Sequence, residues 1–391
     1  MMCNSESFHI FSFPLEILTK IIVSCDLKSI ARLSQTCRYF RDLLQNDFMW
    51  LHHSKFALGS NLLSPRMRER SPQELSFKMR CITGLNWRKC NSKKFTLFMY
   101  RKALPIVKLD QECLVLVAGK TLLKYNRCHK TGAINGKSFS KCIWDELSGL
   151  VINKDEVVTI GCCGSLARWK KKNLHLSQMC KKSNAYPELT AVDAKSDIIV
   201  SGSRNGYLQV WKTMDNNTKC ISDIQVVNKV LSVALHSANS KFIVGLRGTD
   251  NIHPLQLYDL EKSSLITKIG SNFKHGAGIL SIYPECENTF LSGSYDTSIR
   301  LWDVRDPRKS VLTWTEPFDN TIYCVTSDHH VTILSGANRS SMVHFWDKRH
   351  SNMVNFHCEK AVKFSPVYSI AFDACQEYVA YDEAIFQYSY S

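Results

Sequence analysis

Residues 291–303 read "LSGSYDTSIRLWD", two short apolar runs joined by a small polar turn. Alternation on both sides of Tyr295, Asp296 and Thr297 predicts a β-hairpin, and Gly293 permits close approach of a neighbouring backbone. Near-copies of this hairpin recur at almost constant distances along most of the chain, and the first ninety residues contain none. The hairpin is therefore one unit of an internal repeat.

Seven such hairpins close their second strand on an aromatic residue. These residues are Tyr125, Trp169, Trp211, Tyr258, Trp302, Trp346 and Tyr388. Their successive spacings are 44, 42, 47, 44, 44 and 42 residues. A period of roughly 40 to 45 residues, with four strands per unit and a Trp-Asp ending, resembles the WD-repeat propellers. Since a single blade cannot bury both of its faces, the pattern predicts a mainly β fold built as a seven-bladed WD-repeat propeller.

The last repeat ends three residues after Tyr388, which leaves no room for a fourth strand. Residues near 93–104, "KKFTLFMYRKAL", have strand character and are expected to supply it from the other end of the propeller. Closure of this kind removes the exposed edges of the sheet. The propeller is therefore predicted to occupy residues 93–391.

The WD-repeat resemblance also implies a structural tetrad, in which a His, a Ser or Thr, the turn Asp and the Trp form a buried hydrogen-bond chain. The matching residues are His275, Ser292 or Ser294, Asp296 and Trp302. A hydrolase triad is the alternative, but the Trp donor and the turn position of the Asp favour the structural interpretation. Three repeats have Tyr in place of Trp, so the propeller is degenerate and its exact blade boundaries stay open.

The N-terminal segment has a helical period instead. Leu18 and Ile22 recur at helical spacing, with Ile17 and Ile21 on an adjoining stripe. Asp26 is the expected N-cap of a second helix, and "CRYFRDLL" at 37–44 predicts a third. Three short helices leave an apolar face that a monomer would expose to water, so a partner is expected there.

At roughly residues 11–55 this segment resembles an F-box, the module that docks on the Skp adaptor of a cullin-RING ubiquitin ligase. The matching residues are Phe13-Pro14-x-Glu16-Ile17-Leu18, Ile21, Asp26-Leu27, Leu33, Thr36-Cys37-Arg38-x-Phe40 and Asp47-x-x-Trp50. Phe13 and Phe40 are apolar departures from the commoner leucine and tryptophan. The resemblance implies adaptor binding through a subset of Pro14, Ile17, Leu18, Ile21, Leu33, Cys37 and Phe40, because some of these must serve the internal core. A helical cap on the propeller is the alternative.

Between the two modules, residues 71–90 predict a helix that begins near Pro72 and holds Leu75, Met79 and Ile82 on one face. The domain order is thus a tail (1–10), an F-box (11–55), a basic helical linker (56–92) and the propeller. As a whole the chain resembles the F-box and WD-repeat receptors, most closely the dactylin type. That resemblance implies that the linker is a rigid spacer.

The substrate face is also inferred from propellers of this type. The residue before the turn Asp and the second residue of the inner-strand motif face the channel mouth there. The matching residues are Arg204, Arg247, Tyr295 and Asn338 or Arg339, then Leu231, Leu280, Tyr323 and Tyr368. We predict that Arg204, Arg247, Tyr295, Tyr323, Arg339 and Tyr368 bind substrate. Two or three arginines among Leu and Tyr favour an acidic or singly phosphorylated segment with apolar flanks. Solvation of a loop-rich face is the alternative role for the arginines.

Composition limits the class of protein. The formal charge is +15, with nine Lys/Arg against two acids from Arg66 to Lys94 and a second basic cluster, "RWKKKN", at 168–173. No apolar run approaches the eighteen or so residues that span a bilayer. Sixteen scattered cysteines without a C-x-x-C pair predict reduced thiols, a cytoplasmic or nuclear location and no metal site. No cofactor is expected.

Three functions are compatible with these observations. The first is a non-catalytic substrate receptor that reaches cullin and RING subunits through the Skp adaptor and binds a protein substrate. The second is an interaction scaffold with a weak F-box. The third, a nucleic-acid-binding protein, rests on charge alone because aromatic-and-basic stacking motifs are missing. An enzyme is disfavoured, since Gly119-Lys120-Thr121 lacks the upstream glycine of a phosphate-binding loop.

Overall fold

The structure, a computed structural model, describes residues 10–72, 75–141, 145–181, 188–214, 217–236, 240–249, 253–271, 273–274, 276–362 and 364–391. Within these residues an F-box-like helical region precedes seven four-stranded antiparallel sheets. The innermost strands of successive sheets contact one another in series, and the last contacts the first. The sheets are therefore the blades of a closed seven-bladed propeller, and the predicted fold class is confirmed.

The helices all lie before the propeller. They are α1 (Leu15–Ser24), α2 (Leu27–Thr36), α3 (Arg38–Leu43), α4 (Leu51–Ser54), α5 (Pro65–Arg70) and α6 (Phe77–Lys89), with 3-10 turns at Ile10–Ser12 and Asp47–Trp50. The side chain of Asp26 accepts a hydrogen bond from the Ser29 N–H at 2.6 Å, so it is the N-cap of α2 as predicted. No helix in the described part of the chain is long and apolar enough to cross a bilayer.

The strands follow the predicted repeat. One strand, β1 (Lys93–Met99), comes before the first complete blade. Blades 1 to 3 contain β2 (Ile106–Leu109), β3 (Cys113–Ala118), β4 (Thr121–Arg127), β5 (Ile134–Lys141), β6 (Leu147–Asn153), β7 (Glu156–Gly161), β8 (Ser165–Lys170), β9 (His175–Lys181), β10 (Leu189–Lys195), β11 (Ile198–Ser203), β12 (Tyr207–Met214) and β13 (Asn217–Gln225).

Blades 4 to 7 continue the order from the centre outward. They contain β14 (Val230–Leu235), β15 (Lys241–Leu246), β16 (Leu255–Asp259), β17 (Ser264–Lys268), β18 (Ile279–Pro284), β19 (Thr289–Ser294), β20 (Ser298–Asp303), β21 (Leu312–Thr315), β22 (Ile322–Ser327), β23 (Thr332–Ala337), β24 (Met342–Asp347), β25 (Met353–Cys358), β26 (Ser369–Phe372), β27 (Gln376–Ala380) and β28 (Ala384–Ser389). Blade 7 is completed by β1, which pairs antiparallel with β28.

Burial between blades explains the sequence of the strands. All six residues of β3, "CLVLVA", are buried because both faces of a central strand pack against neighbouring blades. Trp211 of blade 3 packs against Leu166 of blade 2, and Trp346 of blade 6 lies in one cluster with Leu291 of blade 5. The periodic aromatics therefore fill the spaces between blades, which is why the repeat is visible in the sequence.

The two faces of the propeller carry different turns. We call the side with the turns between first and second strands, and between third and fourth strands, the helix face, because the helical region contacts it. Asn61 Nδ2 donates to Asp328 Oδ2 at 2.7 Å in such a turn, and Arg70 Nη2 donates to the Ser327 carbonyl at 2.7 Å. The opposite side, with the turns between second and third strands, is the open face.

The linker helix differs from its prediction. It begins at Phe77, not near Pro72, so Leu75 precedes the helix, and the Met79 and Ile82 side chains are exposed. Ser76 is the N-cap of α6, since its Oγ accepts the Met79 N–H at 3.2 Å, and the Asp47 carboxylate accepts the Phe77 and Lys78 N–H groups at 2.8 and 2.9 Å. The carboxylate thereby joins α6 to the helices before it.

Trp87 holds α6 on the propeller. Its side chain is fully buried, and its ring stacks on Tyr390 with 3.8 Å between ring centroids. Phe345 of blade 6 and Phe372 of blade 7 approach the indole from the sides, each at 5.7 Å. The indole N–H donates to the Ala374 carbonyl at 2.9 Å. The linker is thus packed into the core of the last two blades.

Candidate functional site

The tryptophans of the repeats form buried hydrogen bonds to a Ser or Thr of the second strand. This is one of the bonds of the predicted tetrad. Trp302 Nε1 donates to Ser292 Oγ at 2.8 Å, and the same bond recurs from Trp169 to Thr159, Trp211 to Ser201 and Trp346 to Ser335 at 2.9 Å. Asp296 binds the buried Arg300 guanidinium through both carboxylate oxygens, at 3.0 and 2.6 Å. His275 lies outside the described residues, and Ser294 accepts from the Asp296 N–H. The described members of the set, Ser292, Asp296 and Trp302, are bonded within the blade and stabilise it.

Replacing Ser292 by alanine is expected to lower the free energy of unfolding by about 1–3 kcal/mol, because the buried indole N–H of Trp302 loses its acceptor. Chemical denaturation followed by tryptophan fluorescence measures this. Ser201→Ala removes the equivalent bond in blade 3 and should cost a similar amount. If both variants unfold at the wild-type denaturant concentration, the bond does not contribute to stability.

The open face repeats one backbone contact in blades 2 to 6. The residue after the second strand donates its N–H to the carbonyl of the residue before the first strand. The pairs are Cys162 to Glu146, Arg204 to Glu188, Arg247 to Lys229, Tyr295 to Gly278 and Asn338 to Thr321, at 2.8 to 2.9 Å. The predicted substrate residues Arg204, Arg247 and Tyr295 therefore occupy equivalent positions around the channel mouth.

Blade 6 corrects one assignment. Asn338, and not Arg339, holds the position equivalent to Arg204, Arg247 and Tyr295, because Asn338 makes the repeated backbone bond. The two serines that follow, Ser340 and Ser341, have positive φ values of 71° and 52° and lengthen this turn. Arg339 is exposed one residue further along. Sequence alone left the choice open, since the extra residue moved the register.

Three cations lie together on blades 3 and 4. Arg204 is not free, since its Nη1 contacts both oxygens of Glu188 at 3.1 and 2.9 Å. Arg247 is exposed, and in the described part of the chain no carboxylate pairs with it. Burial, together with the nearby Arg204 and Arg247 and against the pull of Glu188, lowers the pKa of Lys229. We call Arg204, Lys229 and Arg247 the cation cluster. The prediction missed Lys229, although it directly precedes the inner-strand motif "VLSV".

The other side of the mouth is aromatic. Tyr323 and Tyr368 are half-buried with 5.9 Å between ring centroids, and Tyr295 is 40% exposed. Burial, with Tyr295 and Tyr368 close by, raises the pKa of Tyr323, while Arg339 acts in the opposite direction. These side chains, with Arg339, therefore form one surface. Leu231 and Leu280, on the inner strands of blades 4 and 5, are half-buried.

The predicted adaptor residues divide by exposure. Pro14, Ile17 and Ile21 are exposed, the two isoleucines at 38% each. Leu33 and Cys37 are half-buried, and Leu33 packs on the internal cluster of Ile22, Ile30 and Trp50.

Leu18 and Phe40 are 1% and 5% exposed, so in this structure they belong to the internal core and present no contact surface. A periodic stripe could not assign Leu18, because core and contact positions lie on adjoining stripes of α1. Ile17 and Ile21 lie one turn apart on α1 and are exposed, so a partner can reach both side chains.

No group of three or more His, Cys, Asp or Glu side chains in the described residues is placed to hold a metal ion. His329 and His330 are adjacent in the turn between β22 and β23. His329 contacts the Tyr283 hydroxyl at 3.0 Å, and burial lowers the pKa of His329 to about 3.

Two family models match the chain. The F-box-like model covers residues 10–55, and the WD domain, G-beta repeat model covers residues 267–303. The chain therefore carries an F-box-like domain, followed by WD40 repeats in the propeller.

Two relatives match the chain over nearly its whole length. The F-box/WD repeat-containing protein 4 of Mus musculus is 29% identical over 378 residues, 95% of this chain and 91% of that protein. The Homo sapiens protein of the same description is 28% identical over 377 residues, 95% of this chain and 90% of that protein. The chain carries F-box-like and WD40 domains and is homologous to F-box/WD repeat-containing protein 4.

A solved structure agrees on the fold of the propeller. The "Crystal structure of WD40 beta propeller domain of Doa1" aligns with a TM-score of 0.60 and 13% sequence identity. The alignment covers 75% of this chain and 94% of that chain. At this identity the likeness shows the fold alone.

Proposed function

We propose that this chain is the substrate-recognition subunit of a Skp–cullin–F-box ubiquitin ligase. Its F-box-like region docks the Skp adaptor, and the open face of its propeller binds the protein to be ubiquitinated. The observation that carries the proposal is the fixed attachment of an F-box-like module to the helix face, opposite the cation cluster. The location that fits this assembly is the cytoplasm or the nucleus.

The joint between the modules supports a positioning role. Trp87 is packed among residues of blades 6 and 7, and Asp47 accepts the first N–H of the same helix from the F-box-like side. A substrate on the open face is then held at a defined distance from an adaptor on α1. The chain itself is non-catalytic in this proposal, since the cullin and RING subunits bring the ubiquitin donor.

The open face favours a ligand with two chemically different parts. Arg247 and Lys229 attract a carboxylate or a phosphate, whereas Tyr295, Tyr323 and Tyr368 offer apolar surface with hydroxyl groups. Arg204 is partly neutralised by Glu188, which lowers the number of free cations. We therefore propose an acidic or singly phosphorylated segment followed by apolar or aromatic residues as the recognised element.

Charge reversal at Arg247, written Arg247→Glu, is expected to weaken substrate binding by about tenfold or more, because a favourable charge contact becomes repulsive. Arg308→Glu is the matched control, since Arg308 is exposed on a turn of the helix face. Affinity for a captured substrate, measured by surface plasmon resonance, checks the difference. Equal affinity of both variants would place the substrate elsewhere.

One comparison tests the function as a whole. Proximity labelling in cells is carried out with the intact chain and with a variant that cannot bind the adaptor. A substrate should be labelled by both, and its half-life should lengthen only with the variant. Proteins that are labelled equally and keep the same half-life would instead favour a non-degradative interaction scaffold with a weak F-box.

A further inference from the structure

A groove of about 970 Å³ lies between blades 1 and 2 on the helix face. Its walls come from β4, β8 and the first residues of β9, together with the turn at 171–174. The end of β8 and this turn together contain the basic cluster "RWKKKN", which neither the adaptor surface nor the open face uses. We call this site the lysine groove.

Lys124 lies in the wall of the groove and is 7% exposed. Its Nζ donates to the Lys172 carbonyl oxygen at 3.0 Å. In the described part of the chain no carboxylate pairs with this ammonium, which has three hydrogen-bond donors. A buried cation is costly unless a negative charge compensates it, so an anion in the groove would stabilise the Lys124 ammonium.

The carboxylates of the groove are largely committed to other partners. Glu156 binds Arg168, with Nη2 to Oε1 at 2.6 Å. Lys171 Nζ contacts both Asp110 and Glu112 at 3.0 Å. These pairs order the turn and fix the walls of the groove.

A positive charge remains after this pairing. Lys124, Lys170 and Lys172 line the groove, and among the described residues none of them is paired with a carboxylate. His129 and His175 add two further nitrogen-bearing rings, and Asp155 is the acidic side chain left in the lining. The three lysines outnumber that acid, so the groove attracts anions with more than one charge.

We propose that the lysine groove binds a compact, multiply phosphorylated small molecule, with one phosphate on Lys124 and a second on Lys170 and Lys172. The volume of the groove is within the range of small-molecule sites. The groove opens on the helix face, away from the cation cluster, so the proposal is independent of substrate recognition on the open face.

Isothermal titration of the purified full-length chain with tripolyphosphate tests the site, with inorganic phosphate as a second probe. We expect saturable binding of one tripolyphosphate and much weaker binding of inorganic phosphate. Lys172→Glu should weaken tripolyphosphate binding by about tenfold or more. Lys262→Glu is the control, because Lys262 is exposed in the equivalent turn of blade 4 and should leave the affinity unchanged.

Four results would overturn the proposal, three of which come from the wild-type chain and the Lys172→Glu and Lys262→Glu variants. These three are the absence of tripolyphosphate binding to the wild-type chain, equal weakening by Lys172→Glu and Lys262→Glu, and binding of an acidic peptide in the groove in place of tripolyphosphate. Lys124→Met keeps most of the apolar volume of the buried side chain and removes its charge. It should also weaken binding by about tenfold, and a folded Lys124→Met chain with wild-type affinity would equally contradict the assignment.

Discussion

Replacement of both Ile17 and Ile21 by aspartate is expected to abolish capture of the Skp adaptor. Each side chain is 38% exposed on α1, so the substitution should cost the fold little. An apolar contact face does not accept two carboxylates without desolvating them. Loss of two central apolar contacts weakens a protein interface by more than about a hundredfold.

Co-purification of the full-length chain with the adaptor measures this effect, and circular dichroism shows that the chain is folded. Met79→Asp with Ile82→Asp is the matched control, because these side chains are 40% and 42% exposed on α6 of the same helical region. The control should retain the adaptor. Full retention by the Ile17 and Ile21 variant would show that α1 does not contact the adaptor.

Trp87→Ala should be the most destabilising single change at the joint between the two modules. The fully buried indole contacts Tyr390, Phe345 and Phe372, and its loss leaves a cavity worth about 3–5 kcal/mol in unfolding free energy. Gly59, at φ +70°, lies so close that a Cβ there would be 3.0 Å from the ring. Removal of the indole therefore weakens the packing of the Gly59 loop and of α6 on the propeller at the same time.

Denaturant unfolding and limited proteolysis of the linker measure this loosening. Trp87→Phe keeps an aromatic ring but loses the bond to Ala374, so it should cost less than Trp87→Ala. Trp314→Ala is the control, since Trp314 is 2% exposed in blade 5 and away from the joint. It should destabilise the chain without speeding cleavage of the linker. If the linker of Trp87→Ala is cleaved no faster than that of the wild-type chain, Trp87 does not hold the linker on the propeller.

The propeller could be predicted because its signals are local and repeated. The aromatic of the third strand fills the space beside the preceding blade, as Trp302 of blade 5 does beside Leu255 and Leu257 of blade 4, so Trp302 and its six counterparts mark one period. Tyr can replace Trp at this position, as Tyr258 does by stacking on Phe242 at 5.3 Å. The period of the aromatic residues therefore remains visible in repeats where the Trp hydrogen bond is lost.

The linker was predicted less well because its structure depends on distant residues. Asp47 accepts the first N–H groups of α6, and the propeller determines which face is buried. The buried residues of α6 include Cys81, Thr83, Gly84 and Trp87, which do not form a simple apolar stripe. A helix packed between two modules has no single hydrophobic face, so the apolar period of Met79 and Ile82 did not identify its buried residues.

In the candidate sites, too, the sequence did not predict which charged side chains pair with one another. The position of Arg204 could be predicted from the repeat, but its pairing with Glu188 arises from the loop before β10. Likewise, the cluster at 168–173 was visible as charge, whereas the buried Lys124 that completes the lysine groove comes from another blade. Sequence locates charges along the chain, and folding decides which of them remain unpaired.

The pairing of β1 with β28 has a consequence for synthesis on the ribosome. β1 leaves the ribosome long before β28, and Trp87 long before its stacking partner Tyr390. Ring closure therefore waits for these late residues, as do the contacts of Trp87 with Phe372 and Tyr390. A product terminated before β26 would lack these contacts and would hold the F-box-like region by fewer bonds, such as that of Asn61 to Asp328. A rigid distance between the two binding surfaces therefore depends on completion of the chain.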